Sequence, residues 1–255
     1  MKKKTPRPTH APIRERDRRR ADFAATVSHD LKTPLNAIVG FLSVLMQDAP
    51  RMQPEWVEYL AQINHSARRL LERINDLLEL YRLEAGKISF EPAWMNPRET
   101  LAQAAEPARS ALERNGGRLD TEAPRVRIFC DERLISRVVR ELCANAAQAA
   151  RDGAVRVSLA LDDAGPKERR LRLDVEDSGP GLGRERQALI EHSLALDPSS
   201  DAAAWDGLGL GLALARQAAF MLGGRLTIGS RAEGGTRARL EFALPAEHVE
   251  DAPGA

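Results

Sequence analysis

Apolar residues near the start of the chain fall at Val27, Leu31, Pro34, Ile38, Phe41 and Leu45, in steps of four, three, four, three and four. That is the spacing of a coiled-coil seam. It predicts a helix over 21–47, broken by Asp48-Ala49-Pro50. A second seam runs through Trp56, Leu60, Ile63, Ala67, Leu70, Ile74, Leu77 and Tyr81, with Gly86 placed as a C-cap. Two long helices joined by a short loop to Pro54 make an antiparallel hairpin. One partner helix covers such seams incompletely, whereas two hairpins paired into a four-helix bundle cover them. The pattern therefore predicts a homodimer. The competing arrangement packs the seam on the chain's own second domain.

Beyond Gly86 the period changes. Strands are predicted over 88–90, 126–129, 155–160, 171–176, 225–230 and 237–244, with helices over 97–114, from Asp131 to 150, and 208–222. Asn115-Gly116-Gly117 closes the first of these helices, and Asp131 caps the next. A polar loop is expected over 162–169, and a long loop with a short helix over 178–206. Strands and helices mix without strict alternation, so the class is α+β: an antiparallel or mixed sheet covered by helices on one face. The expected domains are a basic tail over 1–20, a helical hairpin over 21–86, a second domain over 87–247 and a tail over 248–255.

Composition narrows the function. The 255 residues carry a formal net charge of +1, and aromatics are only 4%. That is poor material for a stacking platform for nucleic acid. The nine Lys and Arg of residues 1–20 face only Glu15 and Asp17, which reads as a solvated tail. No run reaches the roughly 18 apolar residues of a membrane span. No apolar segment follows Met-Lys-Lys-Lys, so no signal peptide is read. Cys130 and Cys143 lack metal spacing and suit reduced thiols in a cytosolic protein.

The first helix carries Ser28-His29-Asp30-Leu31-Lys32-Thr33-Pro34-Leu35. His29 lies two residues from Val27 and so points off the seam, with Thr33 one turn on along the same face. An imidazole beside a carboxylate is a candidate nucleophile, and a surface histidine is the plain alternative. Pro34 bends the helix within one turn of His29.

The second domain holds four short patterns. Glu141 and Asn145, four apart, share a helix face and offer hard oxygen ligands suited to Mg²⁺, although helices carry such pairs by chance. Asp177-Ser178-Gly179-Pro180-Gly181 follows a strand, where an acid can accept from an exocyclic amine; it is also good turn chemistry. Gly207-Leu208-Gly209-Leu210-Gly211-Leu212 opens a helix, a backbone suited to phosphate. It is not a P-loop, because no Gly-Lys-Ser/Thr follows. Gly234-Gly235-Thr236 joins two strands and by itself reads as a hairpin turn.

Taken together and in this order, these patterns resemble the core of a bacterial sensor histidine kinase over roughly residues 20 to 245. Ser28–Leu35 looks like its H box, Glu141–Ala146 the N box, and Asp177–Gly181 and Gly207–Leu212 its glycine boxes. Gly234–Thr236 looks like the final Gly-Thr element. The resemblance implies a dimeric four-helix bundle followed by an α/β-sandwich ATP-binding domain of Bergerat type. It implies that His29 is phosphorylated from ATP, that Asp30 orients it or acts as base, and that Thr33 positions water in a phosphatase reaction. It assigns Mg²⁺ to Asn145 with Glu141 in support, and the adenine amine to Asp177. Gly179, Gly181, Gly207, Gly209, Gly211 and Thr236 shape the nucleotide pocket and its lid. The implied partner is a response regulator receiver domain, and the implied location is the cytoplasm. The signal is expected from a partner protein or from a region outside this sequence.

Two departures stand out. Gln148 and Ala149 occupy places where many relatives have a basic and an aromatic residue. Between Gln187 and Asp206 there is no Lys or Arg, and Leu189–Leu196 lacks the usual phenylalanine. A lid without cations stabilises triphosphate charge less well. The alternative reading is a catalytically weak, kinase-like docking module. A phosphatase-dominant member and an ATPase using Glu141 are further rivals; the intact H box argues against the ATPase.

Overall fold

The computed structural model describes residues 31–84, 89–195 and 209–252. Contacts divide the chain into two compact units, Met1–Ile88 and Ser89–Ala255.

In the first unit, a helix over 31–45 (α1) runs into a 3-10 turn at Met46–Arg51, and α2 spans Pro54–Glu84. Pro50 stands inside that turn, where the predicted break lies. Pro54 opens α2 in the first turn, where an N–H has no intrahelical partner to lose. Leu42, Ile74 and Leu78 are buried, but much of both seams is not: Ile38 and Leu45 are each 45% exposed, Trp56 60%, Ile63 and Leu70 50%. The predicted ends at residues 21–30 and Gly86 lie outside the described residues.

The second unit has two sheets. The smaller joins β1 (Ala93–Met95), β3 (Val126–Cys130) and β8 (Val249–Asp251), all antiparallel. The larger has five strands in the order β2 (Arg118–Glu122), β4 (Ala154–Gly165), β5 (Glu168–Asp177), β7 (Thr236–Pro245), β6 (Arg225–Ser230). Only the β2–β4 pair is parallel. The mixed sheet is as expected. Helices α3 (Pro97–Glu113), α4 (Glu132–Ala150) and α6 (Leu210–Met221) pack together and against it, and α5 (Arg184–Ala195) lies against β6.

Strand alternation supplies the core. Val155, Val157 and Leu159, Leu171, Leu173 and Val175, and Leu240 and Phe242 are buried, together with Leu101 and Leu112 of α3 and Ile135, Val138 and Val139 of α4. The alternate positions carry charge. Asp174 faces Arg239 in register and receives two hydrogen bonds from its guanidinium, at 2.6 and 3.0 Å. Glu176 likewise faces Arg237. Opposite charges across a ladder reinforce pairing.

Several predicted elements need correction. Of the strand expected at 88–90, Ile88 lies outside the described residues and residues 89 and 90 are not strand; the strand here is β1, Ala93–Met95. The Glu91 N–H donates to the Asp131 carboxylate at 2.8 Å, so this backbone bonds a side chain rather than a ladder. The polar loop expected at 162–169 is mostly strand, because Asp162 and Asp163 pair with Arg172 and Arg169 across β4 and β5. Strand β2 escaped notice because only Leu119 of its five residues is fully buried. Val249–Asp251, expected as tail, form β8. The helix in 178–206 runs twelve residues.

Candidate functional site

Helix α4 is the floor of the site. Asp131 begins it, accepting the Arg133 N–H at 3.1 Å. Glu141, Asn145 and Ala149 follow one another at intervals of four, so they lie on three successive turns of one face. The rest of the helix, with Ile135, Val138, Val139 and Leu142, is buried. Its apolar packing fixes which face is presented.

At the first of these turns, Glu141 pairs with Arg137 one turn earlier, Nε to Oε1 at 3.3 Å, with both side chains largely buried. Its other oxygen lies against the start of α6. A Cβ built on Gly211 would stand 2.4 Å from Glu141 Oε2, so a side chain at 211 forces the carboxylate away. Gly209 is the N-cap of α6, with φ +80° and no side-chain cap. Among the described residues no N-cap side chain takes up the first N–H groups of that helix, which suit an anion. On the next turn, Asn145 is exposed.

At the third turn, the carbonyl oxygen of Ala149 would lie 2.7 Å from a Cβ at Gly179. Only glycine lets the two backbones approach so closely. Gly179 itself donates its N–H to Asp177 Oδ1 at 2.8 Å, and Thr236 donates its N–H to the same oxygen at 3.2 Å. Asp177 is 5% exposed. Two backbone donors thus fix one carboxylate oxygen, and Oδ2 takes part in neither bond.

The Gly-Gly-Thr turn is more than a hairpin. At Gly235, φ is +84°, and a Cβ there would lie 1.8 Å from the Asp177 carbonyl oxygen. Arg231 donates to that same carbonyl at 3.4 Å. Ser230 Oγ accepts the Leu182 N–H at 2.9 Å, which secures the loop after Gly181. The turn between β6 and β7 therefore closes on the end of β5.

The predicted residues Asp177, Gly179, Gly181 and Thr236 are thus brought together, and Glu141 and Gly211 form a second group along the same helix. Thr33 is exposed on α1. His29, Asp30 and Gly207 lie outside the described residues. Ala149, Arg231 and Ser230 were not assigned to the site from sequence, whereas Gly235 stands in the Gly234–Thr236 element. Arg137 was legible as an i, i+4 partner of Glu141, whereas Ser230 and Arg231 touch residues about fifty positions away, which no local pattern reveals. Two surface cavities, of about 450 and 560 Å³, are lined by Thr227–Glu233 with Arg237 and Arg239, and by Asn115, Ala147, Gln148, Arg151 and Asp152. Neither contains Asp177 or Asn145, so the donors and acceptors locate the site, not cavity volume. Among the described residues there is no His/Cys/Asp/Glu cluster able to hold a metal alone. An ion held by one amide oxygen and its own waters needs none.

Two family models match the chain. Residues 19–86 match the family model of the His Kinase A (phospho-acceptor) domain. Residues 130–247 match the histidine kinase-, DNA gyrase B- and HSP90-like ATPase model. The "Non-motile and phage-resistance protein" of Caulobacter vibrioides is 31% identical over 91% of this chain and 28% of its own length. The autoinducer 2 sensor kinase/phosphatase LuxQ of Vibrio cholerae is 32% identical over 94% of this chain and 28% of its own. The chain spans 26–28% of the length of the first curated relatives it matches. Among solved structures, full-length ShkA in complex with AMPPNP superposes with a TM-score of 0.69 at 25% identity, over 91% of this chain and 46% of that one.

Proposed function

The chain belongs to the sensor histidine kinases, and from that premise we propose that it moves the γ-phosphoryl group of ATP to His29 and on to an aspartate of a response regulator. The observation that supports this best is the single face of α4, which runs from Glu141 beside Gly211, through Asn145, to Ala149 beneath Gly179 and Asp177. It gives one nucleotide a phosphate end and a base end. Asp177 Oδ2 accepts the adenine amine. The N–H groups after Gly209 meet the phosphates. Asn145, with Glu141 in support from the preceding turn, would hold Mg²⁺, which when bound would offset phosphate charge.

In the transfer, an imidazole nitrogen of His29 attacks the γ-phosphorus. The bond to the β–γ bridging oxygen breaks, ADP leaves, and the imidazole proton passes to Asp30. The protein's part is positioning and charge stabilisation. The phosphohistidine next gives its phosphoryl group to a receiver-domain carboxylate, forming an acyl phosphate and regenerating the imidazole. Thr33 orients water for hydrolysis of the regulator's acyl phosphate, which releases inorganic phosphate and restores the carboxylate. The unit carrying α1 and α2 pairs with a second copy as a homodimer. Function in the cytoplasm fits the absence, among the described residues, of any helix long and apolar enough to cross a membrane.

Calorimetric titration with ATP tests the reading. The expected result is Mg²⁺-dependent binding that loses its Mg²⁺ dependence in Asn145→Ala. A chain that binds no nucleotide in either condition contradicts it. A second reading, a docking module with weak catalysis, is favoured by the acidic lid, with no Lys or Arg from 187 to 206. It predicts a folded dimer that takes no label on His29.

A further inference from the structure

The chain enters the second unit through a charged clamp. Asp131 is 0% exposed, yet its carboxylate accepts four hydrogen bonds. Two come from the Arg133 side chain and one from the Arg133 N–H. The fourth comes from the Glu91 N–H at 2.8 Å, forty residues away in sequence. Arg133 reaches back as well. Its Nη2 donates to the Ser89 carbonyl at 3.0 Å, and its Nη1 lies 3.2 Å from Glu91 Oε2. Ser89 Oγ in turn donates to Glu91 Oε1 at 2.5 Å. Residues 89–91 are the first described after residues 85–88, which follow α2. They are tied by backbone and side chain to the first turn of α4, the helix that also carries Glu141 and Asn145. A helix cap alone needs only one of these bonds. The rest of the cluster holds the incoming chain.

We propose that Asp131, Arg133 and Glu91 form a positioning clamp. It fixes where the segment after the phosphoacceptor hairpin joins the nucleotide-binding helix, and thereby governs phosphoryl transfer without contacting ATP. The proposal rests on the kinase reading above. The Arg133–Glu91 ion pair is exposed, with side chains 53% and 61% accessible, and by itself would hold residues 89–91 weakly. A fully buried carboxylate with charge-assisted bonds holds them far more tightly.

The test uses the full chain with Asp131→Asn and Arg133→Gln. Asparagine caps a helix as well as aspartate does, so the first variant keeps the cap and removes the charge. Three quantities are read: amide exchange at residues 89–91, affinity for ATP with Mg²⁺, and the rate of His29 labelling. The clamp predicts faster exchange at 89–91 and an ATP affinity within about twofold of wild type. It also predicts labelling slowed roughly ten- to a hundredfold, the scale that small misplacements of reacting groups produce. Affinity and labelling falling in parallel would mean the cluster merely supports the pocket, and overturns the proposal. Faster exchange with unchanged labelling overturns it too. A wild type that takes no label overturns the kinase reading and the clamp with it, whereas failure of the clamp alone leaves wild-type labelling intact.

Discussion

Asp177 is held by backbone from three directions: the N–H groups of Gly179 and Thr236 bond one carboxylate oxygen, and Gly235 packs on its carbonyl. Its chemistry and its placement are therefore separable by mutation. Asp177→Asn keeps the size but replaces a charge-assisted acceptor. ATP affinity is expected to fall by roughly 10- to 100-fold, the equivalent of about 1.5–3 kcal/mol for a hydrogen bond to a charged group. Calorimetry checks it, and unchanged affinity would remove Asp177 from the base-recognition role. Gly235→Ala acts on placement. Its Cβ meets the Asp177 carbonyl at a left-handed backbone, a conformation that alone costs on the order of 1–3 kcal/mol for a non-glycine residue. Both the melting temperature and ATP affinity should drop. At this scale the sequence was informative where chemistry is local. Asp177 with its glycines, and Glu141 with Asn145, stand within a few residues of one another. Gly235 against Asp177 is a contact made only by folding, and a two-glycine turn carries no sign of it.

At the scale of elements, α4 joins the site to the core, and Cys130 just before it and Cys143 within it show how deep that core is. Burial pushes the Cys130 thiol up to about 12, although a backbone hydrogen bond from Asp131 works against it. Burial pushes Cys143 up to about 12 as well. Both thiols should resist a thiol-reactive dye in the native protein and react at once in denaturant. The sign for stability follows from linkage. Above pH 9.0, the ordinary thiol value, the unfolded chain loses these protons while the folded chain keeps them, so stability falls progressively from there to about 12. Replacing both by Ala should flatten that alkaline slope in urea unfolding. Asp131 gives the opposite slope. Burial acts to raise its carboxyl, but the hydrogen bonds from Arg133 and the Glu91 N–H prevail and hold it below the ordinary 3.8. Its contribution is present above that value and is lost as pH falls through the lower folded one, a slope that Asp131→Asn should remove. Elements with strong periodicity, α2, α3 and α4, were legible in the sequence because one face is apolar throughout. The hairpin of β4 and β5 was read too short because its outer half is held by Asp–Arg pairs, which look like loop composition until the strands are aligned.

At the scale of the whole molecule, the α1–α2 unit leaves large apolar side chains open to water, with Phe41 72% and Trp56 60% exposed. A second copy would cover the heptad row Trp56, Ile63, Leu70 and Leu77. Ile63→Asp with Leu70→Asp should convert the proposed homodimer to monomer at micromolar concentration in sedimentation, with ATP affinity unchanged. Wild-type protein that sediments as monomer contradicts the dimer. The two-unit organisation and the mixed sheet were visible in the change of period after Gly86. The small sheet was not, because β1 and β8 have three residues each and pair with a strand far away in sequence. Phosphoryl transfer to His29 is the central step proposed for the molecule. Its most direct test is incubation of the full chain with γ-labelled ATP and Mg²⁺, beside His29→Ala. The account predicts acid-labile, alkali-stable label on wild type and none on the variant, which still binds ATP. A folded, ATP-binding wild type that stays unlabelled, or label that survives in His29→Ala, would contradict it.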